Sequence, residues 1–172
     1  MDALIRLVDL PGMHPTLLWD TIIPATVAVF ADTGASAPYP LPLTVQAVPG
    51  FGSQEFRLLI DPGGVSPELL AKVRRTYETP RLVELAAIAV AALGLHRAGG
   101  HQIVDIARRG SGADYLVDET HHHLEIAGRS RRRDLDAAWQ QKLQRLTDRS
   151  GPGFYVCVAE FESPAARLAF LT

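Results

Sequence analysis

Asp114 and Glu125 are the two residues of this chain whose type and placement best suit chemistry. They lie in two short apolar segments, 113–118 and 123–128, whose composition reads as neighbouring β-strands. Two carboxylates carried to one place by paired strands make a hard oxygen site suited to Mg²⁺ or Mn²⁺. A lysine two positions after Glu125 would share its face and stabilise negative charge on a phosphate. That position holds Ala127. Whether the chain can act as an enzyme therefore turns on whether another amine reaches the acids.

Lys142, one of only two lysines in the sequence, is the candidate. Residues 133–147 read as an amphipathic helix. On an ideal helix Lys142 falls about 20° from Leu135 and about 40° from Leu146, inside the apolar stripe. An inward ammonium needs an anion, and the carboxylates on a sheet beneath could supply it. The alternative is a side chain that runs out past Leu146 to water. Three adjacent histidines, His121, His122 and His123, precede Glu125. Period-two alternation puts His123 on the face of Glu125, as a proton relay or softer ligand, whereas His121 and His122 read as polar turn residues. Arg129, Arg131, Arg132 and Arg133 could grip phosphates at the mouth of such a site, or form a solvated surface. They also precede a helix N-terminus, where positive charge is unfavourable without an anion.

Several elements must position these residues. Residues 1–65 read as β-rich, with strands at 2–8 and 25–31, an exposed proline-rich connection at 35–42, and a hairpin pairing 43–48 with 55–60. His14, beside Pro15, reads as a turn residue. Ser66-Pro67 opens a helix, with Ser66 as N-cap and Pro67 at the first helical position. Thr79-Pro80 opens a second, apolar nearly all round and therefore central, which Gly99-Gly100 closes. Glu84 sits near its start, where it could simply complement the helix dipole. Strands follow at 101–108, 113–118 and 122–127, then the 133–147 helix, a strand at 154–161 and a short terminal helix at 164–171. The organisation expected is a region 1–65 followed by an α/β domain, 66–172.

With 172 residues the chain can bury a substantial core, and its one cysteine, Cys157, excludes an internal disulfide framework. Cys157 lies in an apolar run and reads as a buried, inert thiol. The N-terminus shows no signal peptide, and the most apolar stretch, 82–95, is short for a membrane span, so a cytoplasmic location with no membrane partner is expected. The net charge is −2, yet residues 96–150 carry ten Lys/Arg against eight Asp/Glu. The basic excess therefore sits on the segment that holds Asp114 and Glu125, which favours a polyanionic partner.

The order α-β-β-β-α-β with acids at these places resembles the core of the PD-(D/E)xK nuclease superfamily, the restriction-endonuclease-like fold, over about residues 80–162. The resemblance implies a mixed sheet flanked by helices. It implies metal-binding roles for Asp114 and Glu125, an assisting glutamate at Glu84, and Mg²⁺ or Mn²⁺ as cofactor. It departs from the family at Ala127, in place of the strand lysine, and in lacking the proline that often precedes the aspartate. Some members carry the catalytic lysine on the following helix, where Lys142 stands. Two functions follow. One is a metal-dependent hydrolase of DNA or RNA phosphodiesters. The other is an inactive module of the same fold that binds a protein partner or a second copy of itself, as nuclease-fold modules of bacterial defence systems and mobile elements do.

Overall fold

A computed structural model describes residues 1–147 and 153–172. Eight strands form one mixed sheet, in the order β1-β3-β2-β8-β7-β6-β5-β4. The strands are β1 (Asp2–Arg6), β2 (Tyr39–Val48), β3 (Gly52–Asp61), β4 (Ile103–Ile106), β5 (Tyr115–Val117), β6 (His122–Arg129), β7 (Phe154–Glu160) and β8 (Ala165–Leu171). Among the described residues there are five α-helices, α1 (Leu10–Met13), α2 (Trp19–Ala31), α3 (Pro67–Thr76), α4 (Thr79–Arg97) and α5 (Asp134–Thr147).

Local chemistry sets the helix starts. Ser66 accepts the Leu69 N–H at 3.1 Å, and Pro67 fills the first turn of α3. Pro80 does the same for α4, whose residues from Leu85 to Leu95 are all buried. This is the one helix among the described residues long and apolar enough to cross a membrane, and 72% of that window is buried inside the fold. It lies against β6, β7 and β8. The approach is close: a Cβ on Gly128 of β6 would sit 2.7 Å from the Val83 carbonyl oxygen.

The sheet separates two apolar layers. Tyr155, Cys157 and Ala159 of β7 join the core around α2 and α4. Their neighbours Phe154, Val156 and Val158 join a smaller cluster with Leu135, Ala138, Trp139 and Leu146 of α5. A strand buried on both faces reads as a continuous apolar run, as 154–159 does. β4, β5 and β6 form an antiparallel meander, and α5 crosses over so that β7 runs parallel to β6.

Three expectations fail. Residues 25–31 are the second half of helix α2, not a strand. A short apolar run fits a buried strand and a buried helix equally, and here packing against α3 and α4 decided for the helix. The N-terminal region therefore holds two helices beside its three strands. Residues 39–42 are strand, not connection; Pro40 and Pro42 are accommodated because β2 pairs with β8 only from Leu43 onward. Residues 165–171 are strand β8, not a helix. Their Ala/Leu content favours helix, but pairing with β2 on one side and β7 on the other overrides that weak preference. Through β8 the strands of both halves of the chain join one sheet.

Candidate functional site

Asp114 stands at the entrance to β5, directly after the Gly110–Gly112 turn. Its N–H bonds Leu124 O at 2.9 Å and its carbonyl accepts Ala107 N–H at 3.1 Å, so the backbone is held between β4 and β6. The exposed side chain turns to β6, where Oδ2 accepts Ile126 N–H at 2.7 Å. The register Tyr115↔Leu124 then brings Glu125 alongside.

Glu125 lies on β6 between β5 and β7 and is only 4% exposed. Its side chain faces α5. Lys142 reaches down from that helix, Nζ donating to Glu125 Oε1 at 2.9 Å, and Arg145 one turn on lies 3.6 Å from the same oxygen. The Lys142 side chain is 13% exposed, so the helix phase is inward as expected. Its acidic partner among the described residues is Glu125 and not Asp114. Glu125 Oε2 is buried and has no hydrogen-bond partner. An unpartnered buried carboxylate oxygen is costly unless a water or a bound group supplies the missing donor.

These residues line one cleft of about 1260 Å³ between the start of α4, the β4–β5 turn, β6 and α5. Glu84, Asp114, Glu125, Lys142, Arg129 and Arg131 all contribute to it. Glu84 is exposed and paired with Arg81 at 2.8 Å. The sequence reading missed Arg81, Arg108, Arg109 and Arg145, which also line the cleft. The Arg108-Arg109 pair ahead of a glycine turn and the Lys142/Arg145 spacing of three were the available signals. Seven Lys/Arg face four Asp/Glu across the lining, so the cleft is electropositive despite its acids.

The arginine run divides. Arg129 and Arg131 reach the cleft. Arg132 instead donates from Nη1 to Ser163 O at 3.2 Å and lies 3.5 Å from the fully buried Glu160, bracing the β7–β8 turn. Arg133 lies 3.8 Å from Asp134 and outside the cleft lining. His123 is likewise outside the lining, its ring packed edge-on against Phe154. Cys157 is buried, and burial pushes its thiol up to about 12, which keeps it neutral. Burial, followed by the Asp114 charge, also raises the Tyr115 hydroxyl pKa.

The donor set offered to a cation is two carboxylates, Asp114 just ahead of β5 and Glu125 on the adjacent β6, all oxygen, with one Glu125 oxygen uncommitted. Among the described residues no group of three or more His, Cys, Asp or Glu gathers in a metal-binding arrangement. The fit to Mg²⁺ or Mn²⁺ therefore rests on Asp114 and Glu125, since both ions accept few protein ligands and keep several waters. No protein-family model, curated protein or solved structure matches this chain.

Proposed function

We propose that the chain is a divergent nuclease-fold protein of the PD-(D/E)xK type, which hydrolyses DNA or RNA phosphodiesters with its lysine moved from strand to helix. The observation that carries the reading is the 2.9 Å contact between Lys142 Nζ and the buried Glu125 carboxylate, in a cleft shared with Asp114 and Glu84. The antiparallel meander β4-β5-β6, followed by a helical crossover to the parallel β7, supports it. In this reading residues 66–172 carry the site, the 1–65 region extends the sheet, and the protein acts in the cytoplasm.

Asp114 and Glu125 would hold Mg²⁺ or Mn²⁺. Such an ion supplies stabilisation of developing negative charge and a bound water of lowered pKa. Lys142 orients Glu125 and places its ammonium where the scissile phosphate's charge grows. Glu84 orients water from the far wall. Arg129, Arg131 and the arginines of the β4–β5 turn hold the backbone phosphates. A second reading, an inactive module that binds a partner through this cleft, is favoured by Ala127 in the strand slot and by the ion pair that already satisfies one Glu125 oxygen.

Cleavage assays on DNA and RNA, with Mg²⁺ or Mn²⁺ against chelator, separate the two. Activity should require the metal and vanish in Asp114→Asn and Glu125→Gln. Lys142→Met should slow it by roughly 10²–10³, the scale of losing one preorganised electrostatic group. A native protein that is inert and gains activity in Ala127→Lys establishes the second reading.

A further inference from the structure

The two edges of the sheet are built differently. β4, at one end, has four residues and an irregular register between Ile103 and Asp105. Asp105 also bends back to accept the N–H of Ile106 at 2.7 Å. Shortness, irregularity and an edge charge are devices that discourage a further strand. β1, at the other end, is one residue longer and regular, and its two charges, Asp2 and Arg6, stand at its ends with opposite signs. Its register with β3 runs unbroken from Asp2↔Arg57 to Arg6↔Asp61, and Leu4 at its centre is 64% exposed.

The direction of the free backbone groups follows from one bond. Arg57 N–H donates to Met1 O at 3.1 Å. N–H and C=O of one residue point to the same side of a strand, and sides alternate along it. Met1, Ala3 and Ile5 therefore aim their main-chain groups at β3, whereas Asp2, Leu4 and Arg6 aim theirs outward. Ala3 and Ile5 pack on the core, so the side chains of Asp2, Leu4 and Arg6 lie on the other face. Helix α5 packs on that face over β6, β7 and β8.

We infer that β1 is a self-complementary edge that pairs antiparallel with β1 of a second copy of this chain, about a two-fold axis at Leu4. The axis makes Leu4 face the partner's Leu4 as a hydrogen-bonded pair, each donating to the other's carbonyl. It sets Asp2 opposite the partner's Arg6 on one side and Arg6 opposite the partner's Asp2 on the other. The order Asp-Ala-Leu-Ile-Arg thus places opposite charges together and apolar groups together only in this register, which is the isologous arrangement a two-fold dimer requires. Leu59, the β3 neighbour of Leu4, widens the apolar strip on both copies. Arg6 is already oriented by Asp9 at 2.9 Å.

Sedimentation of the native protein at tens of micromolar should give twice the 18.7 kDa chain mass. Leu4→Pro removes an N–H that β3 does not use, and the variant should sediment as a monomer with an unchanged circular dichroism spectrum. Leu4→Cys should form a covalent dimer on mild oxidation, because cross-strand pairs on the axis lie within disulfide reach, whereas Ile5→Cys should not. Buried Cys157 leaves that readout clean. If Leu4→Pro proves unfolded, the cysteine pair alone decides. A native protein that stays monomeric, a folded Leu4→Pro that stays dimeric, or cross-linking at Ile5 and not at Leu4 overturns the inference.

Discussion

His14 and Glu125 are both buried polar residues, and they are partnered in opposite ways. His14, wholly inaccessible, sits where the α1 loop meets α4 and β4. Its Nε2 donates to Ala92 O at 2.8 Å, and its Nδ1 accepts Ile103 N–H at 3.0 Å. Both nitrogens of a neutral ring are used, and each bond satisfies a main-chain group that burial would otherwise strand. Glu125 uses one oxygen on Lys142 and leaves the other without a partner beside an open cleft. A fully satisfied buried polar group fastens a fold, whereas a half-satisfied one costs stability and leaves room for a water or a bound group to complete it.

The largest test of that contrast is His14→Ala. It strands the Ala92 carbonyl and the Ile103 N–H and removes a packed ring, which should cost roughly 3–6 kcal/mol in denaturant unfolding at neutral pH. A loss below about 1 kcal/mol would show that His14 is not the pin described.

Acid should reveal the same residue. Burial is the main cause that lowers the His14 pKa from 6.5 to about 4, with the Ala92 bond opposing and nearby His96 adding to the fall. In the unfolded chain the ring has its ordinary value, so between these limits the unfolded state binds more protons. Stability contributed by the neutral ring is then complete above about pH 6.5. It falls as the pH drops towards 4, by about 3 kcal/mol over the whole window. Stability of the native protein and of His14→Ala, measured from pH 7 to 4, should converge by that amount; parallel curves would contradict it.

The smallest effect is expected at the other residue. Replacing the Glu125–Lys142 pair by Leu and Met together removes both buried charges and the orphan oxygen, and among the described residues the only charge that loses its neighbour is the half-exposed Arg145. Stability should stay within about 1 kcal/mol of native, or rise. If the double variant loses as much as His14→Ala, Glu125 is a structural group like His14 and the contrast disappears.

Local order alone determined much of this protein. The proline-opened helices, the nearly all-apolar α4, the three successive strands around the two acids and the inward phase of Lys142 were all legible, because caps, periodicity and a 3.6-residue turn act within a few residues. The tertiary structure decided what those rules leave degenerate. Residues 25–31 became helix and 165–171 became strand because burial and pairing outweigh preferences worth a fraction of a kcal/mol per residue. The partners of His14 come from 78 and 89 residues away, so nothing beside Pro15 could announce them. The division of the arginine run depends on Glu160 and Ser163, delivered by the β7–β8 turn. Arg108, Arg109 and Arg145 joined the cleft only because the sheet brought the β4–β5 turn and α5 to line the same cleft. The acids could be found from the sequence, but the electropositive cleft around them exists only where distant segments meet.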